Sequence, residues 1–516
     1  MNVDVAILGG GLAGNLLARQ LRRQSPDLSV ALFERSTERA YKVGESTVEI
    51  ATLYLTKRLG LSTYIYKEHL PKNGLRYFFD TPGRDAELPD MSEIGIHGLP
   101  PYPSFQLDRS RFEADLLEMN RADGVDVNVG VRVKDLTLDE ASHRFTAVSE
   151  DGEQEVKARW VIDATGKDGM IAKARELRVP EKSHRIASAW GRATDVVDMD
   201  AINAPDFHAR ARYTSRVLST NHFMYDGYWI WFIPLRNGIT SIGIVQESKD
   251  WNVALHKEAG FKDFLRKHRA VGELAADARL LDLEAFTQLA FRTKRFFSTE
   301  RWAVVGNAAA FPDPFYSPGS DFIAVENDIV CDLIARSFAG EAIEERVELY
   351  DRYMHFRFDS TLVIYDGLYP TFGSYELYRA KVFFDTGSYY NLLFDSYARD
   401  EHLDARWLRS SLRRKDSVMS VMGGFADLFR SVAGQMREQG TYHRYNTGHH
   451  SLEGRDAFGV MEAVGAPRSR REIHARSEEI FERTRAMLRD CVGDDSTFAA
   501  LRSGAERTFD AWSALG

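Results

Sequence analysis

Three glycines and one glutamate near the amino terminus have the types and spacing needed to hold a dinucleotide. Gly9, Gly11 and Gly14 form a G-x-G-x-x-G pattern, and Glu34 follows twenty residues after the last glycine. In such a turn the first glycine permits a tight bend, the second lets the backbone approach a pyrophosphate, and the third lets a helix pack closely on a sheet. The glutamate can accept hydrogen bonds from ribose hydroxyls. The alternative is a glycine-rich turn that only packs well, which the pattern alone does not exclude.

The elements around these residues favour the binding interpretation. Residues 3–8 are a short apolar run, residues 12–22 carry a helical pattern, and a second apolar run, 28–33, ends at Glu34. These segments predict a βαβ unit, in which the N–H groups and the partial positive charge at the start of the helix face the phosphates. The residues expected to contact the cofactor here are Gly9, Gly11, Leu12, Ala13, Gly14, Glu34 and Arg35.

Two later segments indicate FAD rather than NAD. An apolar strand ends in Asp163 and closes on Gly166, and the strand within 302–309 ends at Asn307 and leads into a predicted helix. Together with the first turn, these segments resemble the FAD module of the hydroxybenzoate-hydroxylase-like monooxygenases. That module usually has aspartate where this chain has Asn307, and Arg109 matches its flavin-contacting position. A solvated helix face is the alternative interpretation of Arg109.

An aromatic strand adds a second signal. Residues 228–234 contain W-x-W-x-I-P, and alternation along a strand places Trp229 and Trp231 on one face and Ile230 and Phe232 on the other. The ordinary interpretation is the aromatic floor of a sheet. The complete motif, however, resembles the signature of the flavin-dependent halogenases. In that family the tryptophan pair is thought to keep the substrate away from the flavin, so that the oxidised flavin species meets halide instead.

Two further segments match the same family. Residues 44–47 read G-E-S-T, like the family's G-E-S/A-T stretch after the second strand. The cofactor contacts implied there are Gly44, Glu45 and Ser46. Lys72 lies shortly before a predicted strand, where the family has its active-site lysine. A lysine beside a glycine turn is by default a solvated loop residue, and Lys42 and Lys67 are the less favoured candidates.

A fourth segment, 313–319, resembles the family's D/E-P-x-x-S-x-G turn. In the family this turn lies beside the flavin, which implies contacts from Asp313 and Gly319, and its backbone N–H groups are thought to hold halide. The implied halide residues are Ser317, Pro318, Gly319 and Ser320. Monooxygenases share the turn, so it supports flavin more strongly than halide. Tyr316 replaces the glutamate of the tryptophan halogenases, which is typical of branches acting on phenols or pyrroles.

The resemblance implies a reaction. Reduced FAD from a separate reductase reacts with O2 to give a C4a-hydroperoxide. This species oxidises chloride or bromide to hypohalous acid, and Lys72 delivers this acid to an electron-rich aromatic substrate. The substrate is phenol-like or pyrrole-like, free or bound to a carrier protein. Trp229, Trp231 and Glu45 are the other expected catalytic residues, with Glu49 as a further candidate base. The alternatives are a flavin monooxygenase of an aromatic or polyketide-like metabolite and an FAD-dependent reductase or cyclase-like enzyme.

The expected fold class is α/β, with a Rossmann-like FAD module of the hydroxybenzoate-hydroxylase type. Residues 1–340 are predicted to form this module, interleaved with mixed β-sheet segments of a substrate domain at about 71–105 and 175–285. Alternating patterns over residues 71–79 and 125–159 predict antiparallel strands. Residues 341–516 are predicted to form a mostly helical region over the substrate site, with a tail suited to docking or a homodimer. The aromatic side chains between residues 350 and 378 are expected to be packing core, or alternatively a pocket wall. A role in secondary metabolism, such as antibiotic biosynthesis, is implied.

Composition narrows the function classes further. The 516 residues carry a net charge of −9 with both signs interspersed, which argues against nucleic-acid binding. Cys331 and Cys491 lack metal-type spacing, so we expect no metal site, no disulfide framework and two packing residues. No apolar run reaches the ~18 residues of a membrane span, and no secretion signal is visible, so a cytoplasmic location is expected.

Overall fold

The computed structural model describes residues 1–38, 40–451, 461, 463–503 and 512. Its strands are β1 (Asn2–Leu8), β2 (Val30–Glu34), β3 (Leu70–Lys72), β4 (Leu75–Phe79), β5 (Ser92–Ile94), β6 (Ser104–Gln106), β7 (Asp126–Val129), β8 (Arg132–Thr137), β9 (His143–Ser149), β10 (Gly152–Asp163), β11 (Arg178–Pro180), β12 (Ile186–Thr194), β13 (Thr220–Tyr225), β14 (Tyr228–Pro234), β15 (Thr240–Glu247), β16 (Arg279–Leu280), β17 (Glu284–Phe286), β18 (Phe291–Thr293), β19 (Trp302–Val304) and β20 (His450–Ser451).

The helices follow the same order along the chain. They are α1 (Leu12–Gln24), α2 (Glu49–Leu53), α3 (Ser62–Glu68), α4 (Arg109–Ala122), α5 (Met170–Ala174), α6 (Pro205–Ala209), α7 (Glu258–Arg266), α8 (Arg269–Leu274), α9 (Gly319–Phe338), α10 (Glu344–Leu362), α11 (Tyr375–Ser388), α12 (Asp395–Ala398), α13 (Ala405–Arg413), α14 (Lys415–Glu438), α15 (Arg470–Val492) and α16 (Asp495–Arg502). The region after residue 341 is therefore mostly helical, as predicted.

A seven-stranded sheet carries the predicted βαβ unit. Its order is β7-β2-β1-β10-β9-β8, with β19 also paired to β10. The strands β7, β2, β1, β10 and β19 run parallel, whereas β8 and β9 continue from β10 as an antiparallel extension. We predicted antiparallel pairing throughout residues 125–159, which is wrong for β7, because β7 follows a helical crossover and pairs parallel to β2. The parallel arrangement brings the carboxyl ends of β1, β2, β10 and β19 to one edge.

The nine-stranded mixed sheet has the order β16-β12-β15-β14-β13-β4-β5-β20, with β17 also paired to β12. The alternating pattern over residues 71–79 corresponds to two strands that belong to different sheets. Strand β3 pairs with β6, and β4 pairs with β13. The break falls at Gly74, whose φ of +88° is readily adopted only by glycine, so the chain turns sharply there. This turn separates Lys72 from the large sheet.

The two faces of β14 pack into different cores, as the alternation predicted. Trp229 and Trp231 belong to the large core that runs through the parallel sheet and the carboxyl-terminal helices. Ile230 and Phe232 belong to a second, smaller core on the opposite face of the mixed sheet.

Helix α9 begins later than predicted. Around Asn307 the chain makes only a short 3-10 turn, Gly306–Ala308, and the long helix starts at Gly319. The intervening residues form the 313–319 turn, so this turn, and not Asn307, leads into the long helix.

Candidate active site

The glycine turn between β1 and α1 has the local geometry of a dinucleotide site. Gly9 has φ +103°, and a Cβ there would collide with the carbonyl of Ala164. A Cβ at Gly14 would collide with the carbonyl of Gly9, so close packing requires glycine at both positions. At Gly11, by contrast, a Cβ would meet no described atom within 4 Å. The open side of the turn is therefore where a pyrophosphate can approach the start of α1.

The two acidic residues predicted beside this turn differ in position. Glu34 ends β2 and accepts hydrogen bonds from the Gly10 N–H at 2.7 Å and the Ser36 N–H at 2.8 Å. Asp163 is fully buried at the end of β10 and accepts hydrogen bonds from the Thr165 hydroxyl at 2.6 Å and the Ile171 N–H at 2.7 Å. Glu34 thus lies at the opening of the glycine turn. Asp163 instead holds the turn after β10 through its buried hydrogen bonds.

The other predicted cofactor residues lie around the same edge. Gly166 has φ +63° and open space where a Cβ would be, and Asn307 is exposed. The Gly306 N–H donates to the buried Glu326 carboxylate at 2.6 Å, which fixes the backbone beside Asn307. Arg35 is exposed and forms an ion pair with Asp168 at 2.6 Å. The sequence analysis did not identify Glu326, because a glutamate inside an apolar helix carries no motif.

Arg109 lies against the G-E-S-T segment. It donates to the carbonyl of Val43 and forms an ion pair with Glu113, which also binds Lys42 at 2.5 Å. The Arg109 guanidinium also packs against Gly44, where a Cβ would lie 3.1 Å from it. Arg109 therefore holds the entry of this segment, and the solvated-face alternative does not apply to it.

Lys72 is buried, contrary to the default expectation for a lysine beside a glycine turn. Its side chain is 1% exposed, and its amine donates to the Ser46 hydroxyl at 2.9 Å and the Thr47 carbonyl at 2.6 Å. Burial lowers the pKa of Lys72 from 10.5 to about 8, against the opposing charges of Glu49 and Asp321. The fold thus brings the predicted lysine into hydrogen-bond contact with the predicted G-E-S-T segment. The rejected candidate Lys67 is 79% exposed.

Two buried acids lie within electrostatic range of Lys72. Glu49 accepts a hydrogen bond from the Tyr390 hydroxyl, and burial raises the pKa of Glu49. Asp321 accepts hydrogen bonds from the Tyr389 hydroxyl and the Ala51 N–H, both at 2.8 Å. Burial raises the pKa of Asp321 to about 7. The sequence analysis missed Asp321 because it lies on α9, just beyond the 313–319 motif. It missed the two tyrosines because no motif covers the later helical region.

Glu45 occupies a different environment from Glu49. Its carboxylate pairs with Arg192 at 3.0 Å, and its second oxygen is buried without a hydrogen-bond partner among the described residues. Arg192 also pairs with Asp282, so Glu45 is tied to the mixed sheet. Burial raises the pKa of Glu45, although the charge of Arg192 opposes this.

The 313–319 turn is braced from the helical region. Asp313 is fully buried and binds His184 Nε2 at 2.5 Å and the Tyr369 hydroxyl at 2.8 Å. Burial alone would lower the pKa of His184, but the hydrogen bond and charge of Asp313 outweigh it and raise that pKa. Tyr316 and Ser317 have φ values of +63° and +57°, a conformation that costs a side-chain-bearing residue about 1 kcal/mol or more. The bracing is what maintains this turn.

The end of the turn presents N–H groups at the start of α9. The first helical hydrogen bond that closes there runs from the Phe322 N–H to the Pro318 carbonyl at 3.0 Å. The N–H groups of Gly319 and Ser320 precede it and are the unpaired donors of a helix start. The hydroxyl oxygen of Ser320 is buried and has no hydrogen-bond partner among the described residues.

The tryptophan pair lies behind this turn. The rings of Trp229 and Trp231 are 5.5 Å apart, and Trp229 contacts the ring of Phe315 edge-on at 4.8 Å. The Trp231 indole covers Gly243 on the neighbouring strand and donates to the Ser241 hydroxyl at 3.2 Å. Both indoles are buried in the core, and neither lines the cavity described next.

A cavity of about 310 Å³ connects these groups with the carboxyl-terminal helices. Lys72, Glu49 and Asp321 line it together with Tyr316 and Pro318 of the turn. The helical region supplies much of the remaining wall, including Tyr353, Phe356, Tyr365, Tyr389, Tyr390 and Trp407. Both interpretations of the aromatic stretch therefore hold, since these side chains pack in the core and some of them form the pocket wall. The cavity reaches Arg399 and Arg468, which also line an open surface pocket.

Three further observations concern the cysteines, the metal-ligating side chains and the helices. Cys331 and Cys491 are buried free thiols. Within residues 1–38, 40–451, 461, 463–503 and 512, three or more metal-ligating side chains are nowhere grouped. In the same part of the chain, every helix is too short or too polar to cross a membrane.

The chain belongs to the family of proteins with an FAD binding domain, whose family model matches residues 2–359. Because this match covers most of the chain and includes the glycine turn, FAD is its cofactor, and the protein is an FAD-dependent oxidoreductase. Within that class it is similar to flavin-dependent halogenases.

The individual relatives support this similarity. The chain is 27% identical over 443 residues to the flavin-dependent halogenase chlA of Dictyostelium discoideum. This match covers 78% of this chain and 71% of that protein. It is 25% identical over 339 residues to the 1H-pyrrole-2-carbonyl peptidyl-carrier-protein chlorinase of Pseudomonas fluorescens, covering 61% of this chain and 72% of that protein.

The solved structure of halogenase PltM is similar in fold. Its TM-score is 0.69 at 18% identity, and the match covers 93% of this chain and 96% of that one. The relatives support halogenation as the general reaction.

Proposed function

We propose that this protein is a flavin-dependent halogenase in which Lys72 delivers oxidised halogen to an electron-rich aromatic substrate. The observation that carries the proposal is the position of Lys72. A lysine amine that is buried, hydrogen-bonded to the G-E-S-T segment and exposed only to an apolar cavity has no evident structural use. A hydroxylating flavoenzyme needs the same FAD module but no such amine, so Lys72 favours halogenation.

The residues at the sheet edge fit FAD. The open side of Gly11 and the start of α1 would hold the pyrophosphate, and Glu34 would meet the ribose. Gly166 and the exposed Asn307 would contact the remainder of the cofactor, with Asp163 and Glu326 holding their backbones. Bound reduced FAD, together with O2, supplies the oxidising equivalent that converts halide to hypohalous acid.

The start of α9 would hold chloride or bromide. The free N–H groups of Gly319 and Ser320, the helix dipole and the unpartnered Ser320 hydroxyl are all donors or partial positive charges suited to an anion. Ser317 and Pro318 shape the turn that exposes them. Asp313 acts indirectly, because its bonds to His184 and Tyr369 hold this turn in place.

Lys72 would receive the hypohalous acid at the inner end of the cavity. With a pKa of about 8, a sizeable fraction of Lys72 is neutral near neutral pH, so its lone pair is available for the halogen. Glu49 lies within electrostatic range and faces the same cavity, which makes it the better candidate to accept the proton released from the ring. Glu45 is held by Arg192 and does not line the cavity, so it is a positioning residue in this proposal.

Trp229 and Trp231 would form a barrier and not a substrate contact. They fill the space behind Phe315 on the sheet side of the turn, whereas the cavity lies on its other side. A substrate in the cavity is thereby kept at the Lys72 end.

The substrate of this proposal is phenol-like or pyrrole-like. Tyr316 occupies the position where a carboxylate assists indole halogenation, and phenols and pyrroles stabilise the ring cation through their own heteroatom. The name of the Pseudomonas fluorescens chlorinase describes a pyrrole carried on a peptidyl-carrier protein, which keeps a carrier-bound substrate open for this chain. A separate flavin reductase and a homodimer are further parts of the proposal.

The test combines the protein with FAD, NADH, a flavin reductase, bromide or chloride, and phenol or pyrrole acceptors. We expect halogenated product from the wild type, a loss of at least about 100-fold in Lys72→Ala, and little change in the matched surface variant Lys67→Ala. Oxygenated products that form without halide would refute the halogenase proposal and identify a monooxygenase. Equal halogenation by wild type and Lys72→Ala would refute the role of Lys72.

A further inference from the structure

Several buried charged side chains that line the cavity have hydrogen-bond or ion-pair partners. The Lys72 amine is held by Ser46 and Thr47. Deeper in the helical wall, Asp385 pairs with Lys381 at 2.6 Å, and Asp395 pairs with Arg399 at 2.7 Å.

Among the buried charged side chains of the cavity wall, Arg357 on α10 is the exception. Its side chain lines the cavity and the residue is only 4% exposed, yet its guanidinium has neither a hydrogen bond nor an ion pair within 4 Å to any of the described residues. The guanidinium lies over the face of Phe322, 5.9 Å from the ring centroid. Buried guanidinium groups are rarely left in this state, because desolvation of an unpaired charge is costly.

Two buried acids feel the charge of Arg357, but neither forms an ion pair with it. The charge of Arg357 acts on Asp321 and Glu326, but neither carboxylate lies within ion-pair distance of the guanidinium. Burial raises the pKa of Asp321 to about 7 and that of Glu326 to about 8, so both are substantially protonated at neutral pH. Each also has its own hydrogen-bond donor, from Ala51 and Gly306 respectively.

The position of Arg357 relative to Lys72 defines how a ligand would lie. Asp321 is in electrostatic range of both cations, since its charge raises the pKa of Lys72 and the charge of Arg357 lowers its own. Lys72 and Arg357 therefore both lie within electrostatic range of Asp321 on the wall of one cavity. A planar guanidinium binds the two oxygens of a carboxylate in parallel, which a spherical halide cannot match.

We propose that Arg357 binds the carboxylate of a free aromatic acid and so orients the ring toward Lys72. This inference rests on the proposed function, because it specifies the substrate of the same cavity. It favours a free acid over a carrier-bound thioester, since a thioester has no carboxylate at the acyl carbon.

The experiment measures binding of two matched probes, 2,4-dihydroxybenzoate and its methyl ester, to the FAD-loaded protein by calorimetry without reductase or halide. We expect the wild type to bind the acid at least about tenfold more tightly than the ester. Arg357→Gln should abolish this preference and leave the affinity for the ester unchanged, and Arg357→Lys should keep part of it. Arg352→Gln, on the exposed side of the same helix, is the control and should behave as wild type.

Three outcomes would overturn the inference. The first is equal binding of acid and ester by the wild type, which needs no variant to fold. The second is an equal loss of both probes in Arg357→Gln, which would indicate a structural role. The third is binding of bromide alone to the wild type as tightly as the acid, with this binding lost in Arg357→Gln, which would make Arg357 an inorganic-anion site.

Catalysis separates this inference from the proposed function. Halogenation of acid and ester at equal KM would refute the aromatic-acid assignment and leave the halogenase proposal intact. Selective binding of the acid with no halogenation of either probe would refute the halogenase proposal alone.

Discussion

Replacing Lys72 by methionine should change how the stability of the protein depends on pH. The pKa of Lys72 is about 8 in the folded protein and 10.5 in an ordinary environment. The difference between these two values corresponds to about 3 kcal/mol of free energy that burial of the protonated amine costs the folded state. Methionine has a similar length and no charge to bury.

The direction of the change in stability with pH follows from how many protons the folded and unfolded states bind at Lys72. Below pH 8 both the folded and the unfolded states carry the proton, so the folded protein bears the full cost. Between about pH 8 and 10.5 the unfolded chain binds more protons at Lys72 than the folded protein does, and the contribution of Lys72 to stability therefore rises with pH. In Lys72→Met this rise is absent.

Urea denaturation of wild type and variant at several values from pH 7 to pH 10 measures the effect. The quantity to compare is the change in the free energy of unfolding with pH, because the lost hydrogen bonds to Ser46 and Thr47 shift both ends of the range equally. Subtracting the Lys72→Met curve from the wild-type curve should give a rise approaching about 3 kcal/mol. Lys67→Met, at a 79% exposed position, should follow the wild-type curve.

A wild type and a Lys72→Met variant with parallel pH curves would refute this reasoning. That result would mean that Lys72 keeps an ordinary affinity for protons in the folded protein. The availability of its lone pair near neutral pH, on which halogen transfer depends, would then lose its support.

The remaining predictions concern the sheet and the proton acceptor. Gly243→Ala should lower the free energy of unfolding by about 1–3 kcal/mol or more, because the new methyl collides with the Trp231 indole. Gly423→Ala, in an open position within α14, should instead raise the free energy of unfolding by about 0.5–1 kcal/mol. Denaturant curves of the two variants should therefore move in opposite directions. Glu49→Gln should move the midpoint of the halogenation pH profile below that of the wild type, because the charge of Glu49 raises the pKa of Lys72; an unchanged or higher midpoint would contradict this.

Local patterns were sufficient for those parts of the protein that depend on neighbouring residues. The spacing of Gly9, Gly11 and Gly14 specified the first turn, because each glycine is required by backbone within the same βαβ unit. The alternation of Trp229 and Trp231 specified which face of β14 they occupy, since successive side chains of a strand point to opposite sides. The helical character of the region after residue 341 was also legible from its sequence.

Pairings between distant segments were decided only by the tertiary structure. Sequence could not place β7 parallel to β2, nor separate β3 from β4, because both depend on which strand edge was free to pair. The burial of Lys72 is of the same kind, since its environment is supplied by residues 46–49 and by Asp321.

The substrate cavity illustrates the division most clearly. Its sheet side comes from segments with recognisable motifs, whereas its other wall comes from helices whose sequence shows only aromatic and charged side chains at helical spacing. A buried, unpaired Arg357 looks in the sequence like any arginine on a helix, and its burial is apparent only once α9 and α10 pack together. The sequence by itself therefore determined the cofactor, because dinucleotide binding depends on short-range backbone geometry. The tertiary structure decided the site around Lys72, because burial and charge pairing depend on contacts between residues far apart in the chain.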